Sequence, residues 1–193
     1  MLNYRTQPDS LGSLTAGQRS MWAVQQLRPE VPYDIAGFLA IDHHVEVERL
    51  TVACESAAAH FGTQCARLSL VDGEPVFIVD RQLPQKLQSL RCIDLRAEPD
   101  PVEAAHRWMN DNYHRPIDLF GDQLTDLALL RITDNLSYFY LRAHHVLFDG
   151  YGAYNFIRHI AAAYSGSVAD TSDVDFSEFA LIRDADQKYQ QSS

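Results

Sequence analysis

The sequence predicts an α+β domain, a mixed sheet flanked by helices, and three observations carry that prediction. Apolar residues recur at helical spacing in four separate stretches, β-prone runs lie between them, and two pairs of those runs are joined by turns short enough for hairpins. Strands joined by tight turns pair antiparallel, which disfavours a strictly parallel sheet.

Thr15 is placed to cap a helix whose apolar positions Met21, Val24 and Leu27 follow helical spacing and which Pro29 ends. A strand follows from Tyr33 to Ile41, where Ile35, Phe38, Leu39 and Ile41 are apolar and β-prone. From Val45 to Phe61 the spacing is helical again, with Leu50, Ala53, Ala57 and His60 or Phe61 on one side. Gln64 to Val71, the turn Asp72-Gly73-Glu74, and Pro75 to Val79 form a hairpin. Ser89 to Leu95 is a further short strand. Asp100 and Pro101 then start a helix as N-cap and first helical residue, with Val102, Ala105, Met109 and Tyr113 on its inward stripe. Asp126 to Thr133 and Ser137 to His144 flank Asp134-Asn135-Leu136 as a second hairpin, and a last helix after Gly150 turns Ala153, Phe156 or Ile157, Ile160 and Tyr164 inward.

With 193 residues and 46% hydrophobic content the chain suits one sizeable core. Its 16 basic and 26 acidic side chains leave a formal net charge of -10, which repels phosphate backbones and anionic membrane faces, so neither nucleic acid nor a membrane is an expected partner. Cys54, Cys65 and Cys92 are odd in number and scattered, which suits a reducing cytosol. Cys54 and Cys92 read as small buried hydrophobes. No apolar run is long enough to cross a bilayer and the start, MLNYRTQPDS, lacks the apolar core of a secretion signal, so a cytoplasmic protein is expected. The least core-like stretches are residues 1–12 and the Ser/Asp-rich 165–175.

The chemistry concentrates in RAHHVLFDGYG, residues 142–152. If the strand runs through His145, alternation puts Phe139, Leu141, Ala143 and His145 on one face and Tyr138, Tyr140, Arg142 and His144 on the other. The two histidines then point apart and cannot converge on one metal ion, so no metal site is expected. His145, at a strand end before a glycine turn, is either an imidazole presented for proton transfer near neutral pH or a half-buried structural histidine. Asp149 fits a helix N-cap as well as any catalytic role, and Gly150 and Gly152 permit close approach to the main chain. His43 and His44 read as solvent-facing, and His60, His106 and His159 as structural histidines in helices.

The spacing of the whole stretch is more specific than any one residue. HHVLFDG, His144 to Gly150, matches the HHxxxDG motif of the condensation domains of non-ribosomal peptide synthetases. Two further segments resemble that family in the same order. In LTAGQRSMW, Thr15, Gln18, Met21 and Trp22 fit its first core motif while Gly17 and Ser20 depart from it, and RPIDL, residues 115–119, is similar to its Pro-Phe-Asp-Leu segment. DGYGAY, residues 149–154, most resembles the condensation domains of siderophore synthetases of the enterobactin kind. The resemblance runs from Leu14 to the end of the chain. It covers the first of two similar halves, each like chloramphenicol acetyltransferase, between which the family holds its active site.

That resemblance implies an N-terminal extension over 1–12, the N-terminal subdomain over 13–166, and over 167–193 a linker and helix leading toward an absent C-terminal subdomain. It implies an acyltransferase that forms an amide bond between a donor acyl thioester and an acceptor aminoacyl thioester. Both substrates ride on the phosphopantetheine of donor and acceptor peptidyl carrier proteins, with no cofactor bound by the domain itself and an adenylation domain downstream. His145 would orient the amine and take its proton, Gly150 would admit the reacting groups to the main chain, His144 would be structural, and Asp149 would be held by an arginine and fix the loop. The family's arginine position falls on Cys65 here, so Arg67, two residues along on the same strand face, is expected to take that ion pair. A start this close to Met1 leads to the expectation that another protein delivers the donor, and the half alone is expected to be inactive. Two rival readings share the motif: a coenzyme A-dependent acyltransferase or epimerisation domain, and a non-catalytic docking module for carrier proteins.

Overall fold

The computed structural model describes residues 9–63, 66–79, 90–121 and 123–167. Among them the elements run β1 (Asp9–Ser13), α1 (Ala16–Leu27), β2 (Asp34–Ile41), α2 (Val47–His60), β3 (Ala66–Val71), β4 (Glu74–Val79), β5 (Arg91–Asp94), α3 (Pro101–His114), β6 (Thr125–Arg131), β7 (Ser137–His144) and α4 (Gly150–Tyr164). The strands form two sheets, ordered β2-β7-β6-β5 and β1-β4-β3. Among the described residues only β5 and β6 pair in parallel, joined by the crossover helix α3, so the expected mixed α+β architecture is present.

Local chemistry sets the element ends. The Thr15 hydroxyl accepts from the Gln18 amide while the Gln18 side chain accepts from the Thr15 amide, a reciprocal cap for α1. Asp100 caps α3 ahead of Pro101. Asp72 and Gly73 both take positive φ, 53° and 83°, which is the mirror-image turn that matches the twist of a two-residue hairpin.

The central strands β6 and β7 of the four-stranded sheet are covered on both faces, while most of β2 is exposed. Leu127, Leu129, Phe139, Leu141 and Ala143 pack against α2 and α4 through Leu50, Ala53, Cys54, Ala57, Phe156 and Ile160. The alternate residues Ala128, Leu130 and Tyr140 pack against Ala104, Ala105 and Met109 of α3. A third cluster joins the small sheet (Leu68, Phe77) to Leu14, Leu119, Leu124 and Val146. Burying each such side chain is worth roughly 1.5–3 kcal/mol, so β7, apolar toward both helical layers, is the best-anchored strand of the domain.

Four expectations are corrected. Residues 9–13 form an edge strand paired with β4, so part of the supposed extension belongs to the small sheet. The buried stripe of α3 is Ala104, Ala105, Met109 and Asn112, and Val102 is exposed. On α1, Val24 and Leu27 face solvent, Leu27 at 78% exposure, and the buried residue is Gln25. Cys92 sits exposed on the edge strand β5, whereas Cys54 is buried, which pushes its thiol up to about 12. Cys65 and residues 168–193 lie outside the described residues. Among the described residues no helix is long and apolar enough to cross a membrane.

Candidate active site

Strand β7 ends at His144, and residues 145–147 turn. The change of direction is fixed by backbone bonds: the His144 amide donates to the Leu124 carbonyl at 2.9 Å, the His145 amide to the Tyr33 carbonyl at 2.9 Å, and the Leu147 amide to the His144 carbonyl at 2.9 Å. Within the turn, Val146 and Phe148 are driven into separate clusters, Val146 against Leu68 and Phe77, Phe148 against Phe156. Anchored at both, the turn leaves His145, Asp149 and Gly150 exposed and His144 buried. The two imidazoles therefore face opposite environments.

His144 is 1% exposed. Its Nδ1 accepts the Val146 amide at 3.0 Å and its Nε2 lies 3.2 Å from Gln25 Oε1. Burial, aided by the nearby charges of His145 and Arg142, pulls its pKa down to about 4, so the ring is neutral at physiological pH. It serves the turn from inside and is closed to substrate.

Beneath it lies a buried charge pair that sequence reasoning missed. Arg142 donates through Nε to Asp34 Oδ2 at 2.6 Å, and its Nη2 lies 2.5 Å from the same oxygen as an ion pair. Its remaining donors reach the last carbonyls of α3, those of Asn112 and of Arg115, the latter at 2.5 Å. Burial pushes the Asp34 carboxyl above the usual carboxylate range, while the charges of Arg142 and, to a lesser degree, of His145 pull it back. Asp34 also opens β2, directly after the Tyr33 carbonyl that holds His145, so this charge lies at the root of the motif turn. A charged residue in the middle of an otherwise apolar strand was the available signal.

Asp149 spends its side chain on the helix behind the turn. It is the N-cap of α4, and its Oδ1 accepts the Gly152 amide at 2.7 Å. Arg67 is half-buried on β3, and among the described residues no ion pair within 4.0 Å joins it to Asp149. The expected pairing is absent because Asp149 is exposed and already satisfied by the helix amide, so no buried charge demands a partner. The glycines also divide their work. A Cβ at Gly150 would meet nothing within 4 Å, whereas one at Gly152 would stand 3.1 Å from Phe148 Cδ1 and 3.3 Å from Asp149 Oδ1. Gly152 admits the cap, and Gly150 faces open space.

The site thus offers an exposed His145 in the turn that follows β7, with its backbone amide bonded to the Tyr33 carbonyl, ahead of a helix whose N-terminus Asp149 caps. The other candidates stay outside it. His43 and His44 are exposed, and His60 and His159 stack across α2 and α4 with ring centres 4.5 Å apart.

Comparison with known proteins agrees with this geometry. Residues 11–193 match the family model described as "Condensation domain". The chain is 32% identical over 190 residues to an isonitrile lipopeptide synthase of Streptomyces coeruleorubidus, covering 93% of this chain and 12% of the relative. It is 28% identical over 184 residues to enterobactin synthase component F of Escherichia coli O157:H7, covering 93% of this chain and 14% of the relative. Among solved structures it resembles a variant of the starter condensation domain of rhizomide synthetase, with a TM-score of 0.81, 28% identity, and coverage of 92% of this chain and 41% of that one. The chain therefore spans a small part of its curated relatives and under half of the solved domain. With the HHxxxDG residues set on the end of β7 and the family model covering nearly all of the sequence, the chain belongs to the condensation domains of non-ribosomal peptide synthetases.

Proposed function

We propose that this chain is the N-terminal subdomain of a condensation domain and carries its proton-handling histidine. In the reaction, the amine of an acceptor aminoacyl thioester attacks the carbonyl of a donor acyl thioester. A C–N bond forms, the C–S bond breaks, His145 takes the proton lost by the amine, and that proton passes to the departing thiolate. Gly150 leaves the main chain open to the reacting groups, where a backbone N–H polarises the carbonyl. His144, Asp149 and the turn between them hold the geometry. The observation that carries the reading is the exposed His145, held at its backbone by the Tyr33 carbonyl within the HHxxxDG stretch.

Both substrates would arrive on the phosphopantetheine arms of donor and acceptor carrier proteins in a cytoplasmic synthetase. A C-terminal subdomain would complete the tunnel and an adenylation domain would lie downstream. The half alone would not turn over, because a single wall cannot hold two thioesters in attacking geometry. The starter condensation domain of rhizomide synthetase was solved with C8-CoA and Leu-SNAC, which supports a pairing of an acyl with an aminoacyl group. The same complex favours a second reading, in which the donor is a free coenzyme A thioester.

The test is amide formation by a complete condensation domain containing this chain, with loaded carrier proteins and product detected by mass. His145→Ala should lower the rate on the order of 100-fold or more, the scale of a lost general base. Rates equal to wild type would remove the catalytic assignment. Turnover with acyl-CoA but not with a loaded donor carrier selects the second reading, and carrier binding without turnover selects a docking module.

A further inference from the structure

We infer that Gln25, on a helix 119 residues away in sequence, is a positioning residue that holds His144 in a single tautomer and through it sets the turn that presents His145. The assignment follows from backbone groups whose roles are fixed. The Val146 amide can only donate, so His144 Nδ1 carries a lone pair and the proton resides on Nε2. That proton needs an acceptor, and Gln25 Oε1 is 3.2 Å away. The orientation of the amide is fixed in turn, because Gln25 Nε2 faces the carbonyls of Arg28, Pro29 and Val31 at 3.3–3.5 Å, and carbonyls can only accept. Gln25 is itself buried although it lies on a helix whose neighbouring Val24 and Leu27 face solvent. The chain thus exposes apolar side chains of α1 and buries the polar one that His144 requires.

The consequence is directional. A neutral ring with its proton on Nε2 accepts the Val146 amide and tightens the turn, and any state with a proton on Nδ1 opposes two N–H groups and loosens it. Around His144 the titratable and charged groups are Asp34 and Arg142 of the sheet, Glu30 of the loop after α1, His114 at the end of α3, and the adjacent His145. The Nε2 partner is Gln25 Oε1: Arg142 engages Asp34 through Oδ2, and Asp34 Oδ1, though buried, has no hydrogen-bond partner among the described residues.

The effect on catalysis rests on the proposed role of His145, and the effect on the ring does not. In the full 193-residue chain, long-range proton–nitrogen NMR of the imidazoles should place the His144 proton on Nε2 and keep the ring neutral to well below pH 6. Gln25→Glu keeps an acceptor but puts a carboxylate against Nε2 and removes the donors to three carbonyls. The ring should then bind a proton at least tenfold more tightly. In a complete condensation domain Gln25→Glu should retain activity at high pH and lose it as pH falls through that raised value, a profile that simple destabilisation would not produce. Gln25→Met, with no acceptor, should give a mixed tautomer and a drop in kcat of tenfold or more with little change in KM. A wild-type ring protonated on Nδ1, or a Gln25→Glu ring that titrates as wild type, overturns the inference, and either readout decides it even if Gln25→Met fails to fold. Full activity of His145→Ala would instead overturn the function and leave the tautomer assignment standing.

Discussion

Arg142 and Asp34 form an ion pair in which each side chain is 1% exposed, and the same guanidinium closes the C-terminal carbonyls of α3. One side chain therefore ties β2, β7 and α3 together two residues before the motif histidines. Arg142 meets Asp34 through Oδ2 while Asp34 Oδ1 is buried without a hydrogen-bond partner among the described residues, and removing one member of the pair leaves the other charged in a medium that cannot solvate it. Asp34→Ala should cost roughly 3–5 kcal/mol on that basis. In a double-mutant cycle, Asp34→Leu with Arg142→Met should cost clearly less than the sum of the two single changes. Urea denaturation of the four proteins measures it, and additive losses would mean that the two charges do not share one buried site.

The depressed pKa of His144 gives the fold an acid-side signature. The folded ring holds its pKa at about 4 against an ordinary 6.5. Above 6.5 both folded and unfolded chains carry it neutral, and its contribution is constant. As pH falls below 6.5 the unfolded chain takes up a proton that the folded chain refuses, so stability declines until the folded ring also titrates. At about 1.4 kcal/mol per pH unit the loss attributable to this ring reaches roughly 3 kcal/mol by pH 4. His144→Asn keeps an acceptor for the Val146 amide and cannot titrate. The difference between its stability curve and that of wild type should be flat above pH 6.5 and slope between 6.5 and 4.

How far the sequence discloses this site depends on the range of each interaction. The strand bounds Ser137 to His144 are legible locally, but the alternation argument needed the strand to run through His145, and a turn instead sets the two histidines apart. The caps at Thr15, Asp100 and Asp149 are legible because each partner lies three residues away. Gln25 and Asp34 are not, since their partners are 119 and 108 residues distant and periodicity marks only apolar faces. Edge strand β1 escapes for a related reason: DSLGS has no alternating apolar pattern, and its pairing is a property of β4. Arg67 illustrates the opposite error, in which a same-face argument along one strand says nothing of how far that strand lies from Asp149.

The two glycines of the turn should separate stability from chemistry. Gly152→Ala drives a methyl against Phe148 and the Asp149 carboxylate, and overpacking of that kind costs roughly 1–2 kcal/mol. Gly150→Ala meets open space at the start of a helix, so its stability should stay within about 0.5 kcal/mol of wild type. In a complete domain, on the proposed role of Gly150 in admitting the reacting groups, that same methyl should lower activity while the melting temperature holds. Loss of stability in Gly150→Ala without loss of rate would contradict the division.

Asp149 distinguishes a helix cap from an ion pair. As a cap it should lose about 1 kcal/mol in Asp149→Ala, with most of that restored in Asp149→Ser, because a hydroxyl also accepts the Gly152 amide. The loss should change little with added salt, since an exposed cap bond depends on geometry more than on a distant charge. In a cycle with Arg67→Ala the coupling should fall below about 0.5 kcal/mol, the range for independent sites. Coupling well above 1 kcal/mol, or failure of Asp149→Ser to restore stability, would mean that the carboxylate charge itself is used, and Arg67 would return as its partner.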